Sequence, residues 1–506
     1  MLTMTVWTDR GEDRFPVEKG ALLSDVLRTH RLSPDMPCGG RGLCGKCLVW
    51  AESGLEAPSD HERSCLTPDQ LARGARLACQ ARITGDVRLR LTAPKVISQI
   101  CTGGEDRPLG TDPIFTRLGC AVDLGTTTLA ARLYDHTGLL ATASAPNPQR
   151  IFGSDVISRV GKAMEGEGAA LAACVRQAIN GLLSDLCKQT GRETAEVDGL
   201  VITGNTAMLH LLNGTDPSPL SAAPFQAKEL FGVKIPASTL ELNTGTDCFV
   251  CLPRCMSAFV GGDITTALLA SRLCEGQDRA LLVDIGTNGE IVLWQDGELL
   301  CCSTAAGPAF EGANLSQGMQ GAPGAIDHIR VVNGGLVLHT IGDAPAVGIC
   351  GSGVADLLAC LLEMDLLDET GLLDDGEDRW ALTDTVAFTQ GDVRQVQLAK
   401  SAVCSGIETL LHQAGLEEDD VSAVAVAGGF GSFLDLHSAA AIGLLPPALE
   451  NACRVIGNAA LDGASMLLWD KALWEESIAL ADSAKTVELA GNRFFMDRYV
   501  ENMMFE

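Results

Sequence analysis

Positive charge is what this 506-residue chain has little of: 37 Lys and Arg stand against 65 Asp and Glu, for a net charge of −28. So acidic a surface repels phosphate backbones, which argues against nucleic acid as a partner. Long apolar runs are also missing. The strand-like "VSAVAVAGG" (421–429) typifies the hydrophobic stretches, well below the roughly 20 residues that a membrane span needs. The opening "MLTMTVWTDRGEDRF" has no basic segment followed by an apolar one, so the expectation is a cytoplasmic protein with no membrane partner. Two nucleotide signatures are absent as well. No G-x-x-x-x-G-K-[ST] loop occurs and no G-x-G-x-x-G follows a strand, which removes a P-loop and a flavin or NAD site from consideration.

What the chain does have is bulk, glycine and cysteine. Its length exceeds what one core supports, so several domains are expected. With 46% hydrophobic residues and 55 glycines it reads as globular and rich in tight turns. Nineteen cysteines in a reducing compartment are thiols or metal ligands and not a disulfide framework. Most, such as Cys120, Cys174, Cys187, Cys360 and Cys404, stand singly among apolar residues and read as small core hydrophobes.

"PCGGRGLCGKC" (37–47) is different, because no hydrophobic core calls for Cys38, Cys44 and Cys47 among Gly39, Gly40, Gly42 and Gly45. The spacing C-x5-C-x2-C is one residue longer than the plant-type [2Fe–2S] pattern, which ends with a distant fourth cysteine. Glycines let the backbone curl around a cluster and aim amides at its sulfurs. Downstream, Cys65 and Cys79 ("RLACQARI") are the candidates for a fourth ligand. Zinc and merely structural thiols are the alternatives, although zinc sites usually pair one Cys-x-x-Cys hook with another. The flanks predict a small sheet gripping a helix: "TMTVWT" and "DRFPVE" alternate as a hairpin, "LLSDVLRTH" has a helical period, and "KCLVWAE" and "DVRLRLTA" read as strands. Residues 1–92 thus resemble the β-grasp [2Fe–2S] ferredoxins, including adrenodoxin-like members with the longer spacing. That resemblance implies Cys79 as the fourth ligand and leaves Cys65 a bystander. Arg41 and Lys46 on the loop's rim form a small basic patch on an acidic chain, suited to steering an acidic partner.

Residues 94–117, mixed in charge and without periodicity, read as a linker. Beyond them the chain repeats itself. "AVDLGTTTLAARLYD" (121–135) aligns with "LVDIGTNGEIVLWQD" (282–296), so that Asp123 meets Asp284, Gly125 meets Gly286 and Thr126 meets Thr287. "VDGLVITGNTAML" (197–209) aligns with "VSAVAVAGGFGSF" (421–433), each read as a buried strand running into glycine and then a helix. A strand–Gly-Thr–strand turn offers amides and a hydroxyl to phosphate. Two facing copies can hold a phosphate chain from both sides, each Asp binding Mg²⁺ directly or through water.

This arrangement resembles the superfamily of acetate and sugar kinases, Hsp70 and actin. The resemblance implies that Asp123, Gly125, Thr126, Thr127 and Thr128 form the first phosphate loop. Asp284, Gly286, Thr287, Asn288, Gly289 and Glu290 form the second, and Gly428, Gly429, Gly431 and Ser432 an adenosine loop. Gly204 and Asn205, with Gly457 and Asn458, form the segments connecting two subdomains. Asp263 in "SAFVGGD" reads either as a residue positioning water or Mg²⁺ or as the N-cap of the following helix. Glu311 in "GPAFEGA" reads as a polar group on the phosphate side, with a surface residue as the alternative. Cys248, Cys251 and Cys255 lack a nearby fourth cysteine and read as reduced thiols, with a second cluster as the alternative.

A ferredoxin fused to an ATP clamp resembles the ATP-dependent reductive activators of corrinoid proteins. The likeness extends through "NPQRIFGSDVISRV" (147–160), "AAGPAFEGANLSQGM", "GICGSGVADLL", "QLAKSAV" and "RFFMDRYVENMMF". It implies a multidomain α+β and α/β protein. A β-grasp [2Fe–2S] ferredoxin domain (1–92) and a linker (93–117) precede a duplicated ribonuclease-H-like, actin/Hsp70/sugar-kinase-type ATPase domain (118–506), whose second copy begins near 280. It implies the cofactors [2Fe–2S], ATP and Mg²⁺. It implies a corrinoid protein of a methyltransferase system and an external low-potential electron donor as partners, and it admits a homodimer. The corrinoid belongs to the partner, since no Asp-x-His-x-x-Gly motif occurs here. A small-molecule kinase, or an ATP-gated switch with a redox-sensing ferredoxin domain, is the competing expectation.

Overall fold

The computed structural model describes residues 2–8, 11–30, 45–91, 110–276, 278–374 and 378–505, together with Leu32, Pro34, Met36, Gly40 and Gly42. The first sheet, in the order β2-β1-β5-β3-β4, comprises β1 (Leu2–Thr8), β2 (Gly11–Val17), β3 (Leu48–Leu55), β4 (Ala75–Leu77) and β5 (Ile83–Arg90). The expected hairpin runs in register from Leu2↔Val17 to Thr8↔Gly11. Helix α1 (Leu23–Thr29) packs across this sheet because Leu23 and Leu27, one turn apart, are both buried against Met4, Val6, Val49 and Leu89. Two short helices follow, α2 (Asp60–Cys65) and α3 (Pro68–Ala72), each opened by a reciprocal capping box. Glu62 of α2 is buried and accepts both arms of the Arg76 fork, at 2.9 Å each, and the Leu77 amide at 3.0 Å. That bidentate pair fastens α2 to β4, just ahead of Cys79.

The second sheet, β10-β11-β9-β6-β7-β8, contains β6 (Leu118–Leu124), β7 (Thr128–Asp135), β8 (Gly138–Pro146), β9 (Val197–Gly204), β10 (Val233–Pro236) and β11 (Phe249–Leu252). The third, β21-β20-β12-β13-β14-β22, contains β12 (Ala280–Ile285), β13 (Gly289–Gln295), β14 (Glu298–Thr304), β20 (Ala423–Ala427), β21 (Cys453–Gly457) and β22 (Ala484–Thr486). Between β14 and β20 the chain adds a small sheet of β15 (Ala325–Val332), β16 (Gly335–Thr340) and β17 (Gly348–Ile349), and a hairpin of β18 (Arg379–Ala381) and β19 (Ala387–Thr389). Both large sheets are built alike: an antiparallel meander of three strands, then two strands added parallel to its first. β6, β7, β8, β9 and β11 correspond to β12, β13, β14, β20 and β21. The duplicated α/β architecture is therefore real, and the two sequence alignments pair the right strands.

The helices repeat as well. In the first half they are α4 (Val156–Lys162), α5 (Gly168–Thr190), α6 (Thr206–Asn213) and α7 (Gly262–Ser271). The second half has α8 (Gly351–Glu363), α9 (Gln390–Ala414), α10 (Leu436–Ala441), α11 (Ala459–Trp469), α12 (Ala472–Ser483) and α13 (Arg493–Glu501). Here the expectations need correcting. The segment after Gly204 and Asn205 does not connect the halves: α6 buries its leucines in the first-half core, beside α5. The helices that meet between the sheets are α7 and α11, in contact so close that a Cβ at Gly463 would lie 1.8 Å from the Thr266 carbonyl. β20, by contrast, runs as expected through glycine into helix, a short 3-10 turn of helix at Gly431–Phe433 and then α10 from Leu436. Residues 110–117, expected to belong to the linker, pack on the second half's helices. Ile114 donates its amide to Leu468, Phe115 is buried against Trp469, and the Thr116 and Arg117 amides hydrogen-bond Asp198. An apolar anchor in "TDPIFTR" outweighs the loop-like composition around it.

Candidate functional site

Between the second and third sheets lies a cavity of about 250 Å³. The first hairpin turn, Gly125–Thr128, faces the second, Gly286–Asn288, across it, and Gly428, Gly429 and Phe430 close one side. Gly428 has φ +98°, and a Cβ there would sit 2.6 Å from the Ile285 carbonyl and 2.7 Å from Asp284 Oδ1. Only glycine brings this loop so near the second hairpin. The rings of Phe310 and Phe430 stack at 4.9 Å, giving the cavity an aromatic wall that the sequence reading missed. The "GGFG" text carried that signal in its phenylalanine. Gln320, Asp327, Cys350, Gly351 and Ser352 line the same cavity and were not anticipated either, although "GICGSGVADLL" marks a glycine-rich helix start.

The polar centre is a group of carboxylates. Asp123, Asp263, Asp284 and Glu290 all face the cavity. Burial pushes Asp123 up to about 6, against a hydrogen bond from Asn458 Nδ2 at 3.0 Å. Burial, then the charges of Asp284 and Asp123, push Asp263 up to about 8. Burial, Asp123 and Glu311 push Asp284 up to about 7, and burial with Asp263 and Asp284 raises Glu290 well above its ordinary value. Asp263 is not an N-cap: Gly261 occupies that position in α7, and the Asp263 carboxylate accepts its neighbour Ile264's amide, at 2.9 Å. Among the described residues no three such side chains are close enough to ligate one ion together.

Each half supplies an asparagine with two tasks. Asn205 caps α6 through Met208's amide and donates to Thr126 Oγ1 at 3.0 Å; Asn458 caps α11 through Leu461's amide and holds Asp123. Glu311 joins the two hairpins directly, accepting from Thr127 Oγ1 at 2.5 Å and from Thr287 Oγ1 at 2.6 Å. The back of the first hairpin is held by Asn147 and Arg159, both fully buried. Burial lowers the Arg159 guanidinium to about 10, which leaves it charged at neutral pH. Of the expected residues, Gly204, Gly289, Gly431 and Gly457 lie outside the cavity wall, and the side chain of Ser432 is outside what the structure describes.

The cysteine site is described in part. Cys38, Cys44 and Arg41 lie outside the described residues, whereas Cys47 and Cys79 are buried with their Sγ atoms 3.2 Å apart. A tetrahedral ion with sulfur bonds near ~2.3 Å spaces two such ligands ~3.8 Å apart, so this pair fits one iron after a small relaxation. A hydrogen bond from Cys47 draws the Cys79 thiol down to about 6 despite burial, favouring the thiolate that a metal needs. Cys65 sits on α2, its Sγ 3.5 Å from His61 Nε2, beside the outer turn at Gly45. Cys248, Cys251 and Cys255 are buried in apolar clusters, where burial pushes their thiols up to about 11, 12 and 12. Cys248 and Cys255 lie in one apolar cluster and Cys251 in another.

Fold and sites define a two-part protein, a [2Fe–2S] ferredoxin-type unit joined to an actin-like nucleotide-binding body. Comparison with known proteins agrees. Residues 8–84 match the 2Fe-2S iron-sulfur cluster binding domain, residues 118–276 the RACo middle region, and residues 278–506 the C-terminal domain of RACo, the ASKHA domain. The chain belongs to the RACo family. It is 28% identical to the corrinoid activation enzyme RamQ of Eubacterium limosum, over 98% of both chains. It is 25% identical to the [Co(II) methylated amine-specific corrinoid protein] reductase of Methanosarcina barkeri, over 72% of each. A solved reductive activator for corrinoid, iron-sulfur protein superposes with a TM-score of 0.72 at 26% identity, over 100% of this chain and 98% of that one.

Proposed function

We propose that this protein is an ATP-dependent reductive activator that passes one electron to the inactive Co(II) of a corrinoid protein and restores Co(I) for a methyltransferase system. The observation that carries the reading is a ferredoxin unit joined to a carboxylate-lined cleft between two matched Gly-Thr hairpins, in a chain of the RACo family. We divide the chain into a cluster domain (1–92), a tether within 93–117 and a nucleotide clamp (118–506).

Cys38, Cys44, Cys47 and Cys79 hold the [2Fe–2S] cluster. Bound there, the cluster supplies one-electron transfer from an external donor at a potential near ~−400 mV. Each ~59 mV uphill disfavours such a transfer tenfold, so a lower Co(II)/Co(I) couple needs help. Asp123 and Asp284 would hold Mg²⁺, directly or through water, and the amides of both hairpins would take the phosphates. Asp263 orients the water that attacks the terminal phosphate, and Gly428 and Gly429 receive the adenosine. The clamp closes on ATP, and this closure helps reduction only as far as the closed form favours the complex with easily reduced cobalt. The partner is a corrinoid protein in the cytoplasm, and the complex involves neither membrane nor nucleic acid.

The test is a purified Co(II) corrinoid protein mixed with this chain and a strong reductant, with cobalt followed in the visible spectrum. Co(I) appearing only when Mg²⁺–ATP is added is the expected result; formation at the same rate without ATP overturns it. Phosphorylation of a small acceptor without reductant would instead establish the kinase.

A further inference from the structure

If the cavity takes Mg²⁺–ATP, as proposed above and as this inference requires, it faces a charge problem. Asp123, Asp263, Asp284, Glu290, Glu311 and Asp327 line it, and among the described residues no Lys, Arg or His does. A triphosphate entering such a wall meets carboxyl groups and no positive side chain. The missing positive potential stands behind the first hairpin. Arg159 of α4 is fully buried, donates from Nη2 to the Thr126 carbonyl at 2.6 Å and from Nε to the Gly153 carbonyl at 2.9 Å. Its Nη1 faces Gln149 Oε1 at 3.4 Å and Met208 Sδ at 3.2 Å. Every one of these hydrogen-bond partners is neutral, and the carboxylates of Asp155 and Glu311 act on the guanidinium only through space. Because the cation is buried away from water, its field is screened little on the way to the cavity.

The same contacts orient the backbone. The Gly125 carbonyl accepts from Asn147 Nδ2, the Thr126 carbonyl from Arg159 and the Thr127 carbonyl from the Asn147 amide. In a trans peptide the N–H opposes the preceding C=O, so fixing these carbonyls away from the cavity turns the Thr126 and Thr127 amides towards it. Among the described residues those amides have no acceptor. Consecutive free amides form an anion nest.

We propose that Arg159 is a positioning residue for the nucleotide's phosphates: it holds the first hairpin in its anion-accepting form and supplies from behind the positive charge that the cavity wall lacks. "NPQRIFGSDVISRV" thereby gains a role, because Asn147 and Arg159 open and close that stretch.

The test measures binding of Mg²⁺–ATP and of adenosine to the full-length protein and takes the ratio of the two dissociation constants. Arg159→Met should lower the preference for Mg²⁺–ATP at least tenfold while adenosine affinity changes less than threefold. Met208→Glu keeps Arg159 but sets a carboxylate in direct contact with it, and should lower the preference similarly; Met208→Gln, of similar size and neutral, should stay within threefold of wild type. Where Arg159→Met does not fold, the two Met208 variants decide. A preference unchanged in both charge-altering variants overturns the role of Arg159. So does a fall in Arg159→Met without one in Met208→Glu, since contacts and not charge would then carry the effect. Wild-type protein that binds neither probe overturns the nucleotide site itself, and this inference with it.

Discussion

Glu311 uses up the hydrogens of Thr127 and Thr287, and a hydroxyl that donates has only lone pairs left to offer. The two threonines therefore present acceptors to the cavity, suited to a hydrated cation, while the amides take the phosphates. Asp284 shares that cavity, and we expect Asp284→Ala to reduce ATP turnover to background with the cluster's visible spectrum unchanged. Near wild-type turnover would show that the paired hairpins do not serve catalysis. The acid group also sets a pH dependence. Folded-state values raised to about 6, 7 and 8 for Asp123, Asp284 and Asp263 mean that the folded chain binds more protons than the unfolded one between about pH 4 and 8. Stability of the nucleotide-free protein should therefore fall as pH rises through that window. A melting temperature several degrees lower at pH 8 than at pH 5, with a flatter profile in Asp263→Asn, is the expected outcome. At the cysteine site, Cys79→Ser should abolish or grossly alter the visible and EPR spectra, whereas Cys65→Ser should leave them nearly intact. The opposite pattern would assign the fourth ligand to Cys65.

Helices show where the sequence was readable and where it was not. The hairpins β6–β7 and β12–β13 were legible because Asp-x-Gly-Thr is a local signal: a Cβ at Gly125 would lie 2.8 Å from the Thr128 carbonyl, and the strands on either side of both turns are plainly apolar. Strand pairs β9 and β20 were legible for the same reason. The connection between the halves was not, because it rests on small residues meeting across the chain: "DITTALLA" in α7 against "AALDGASM" in α11. Nothing local tells those glycines and alanines apart from an ordinary buried helix. The same blindness hid Phe115, one apolar anchor in a linker-like stretch, and Arg159, whose neutral partners lie on distant segments. The contact of α7 with α11 predicts a sharp effect from a single methyl group. Gly463→Ala sets a Cβ 1.8 Å from the Thr266 carbonyl, so the helices must separate. Overpacking of this kind costs about 1–3 kcal/mol. A lower melting temperature together with slower ATP turnover is expected; a melting point within a degree of wild type would mean that the helices slide apart freely.

Across the whole molecule the question is how a cluster domain and a clamp act together. Arg28, in the last turn of α1, reaches Glu167 at 3.1 Å and lies 5.6 Å from the Phe152 ring centroid, so the two parts touch. An exposed ion pair contributes about 0.2–1 kcal/mol and a cation–π contact about 0.5–1. Holding separate pieces together at micromolar concentration needs about 8 kcal/mol. The contact falls short by severalfold, so the proposed tether must do the holding, giving the cluster domain a high effective concentration near a partner gripped by the clamp. Cleavage belongs within 92–109, because residues 110–117 are packed on the clamp and cutting there would damage it. The two pieces should keep cluster reduction and ATP binding. Co(I) formation by their mixture should become slow and rise with concentration of the pieces, whereas the intact chain at the same dilution stays fast. Activation undiminished at nanomolar concentrations of the cut pieces would mean that a surface larger than Arg28, Glu167 and Phe152 joins them, and the tether would then have no part in electron delivery.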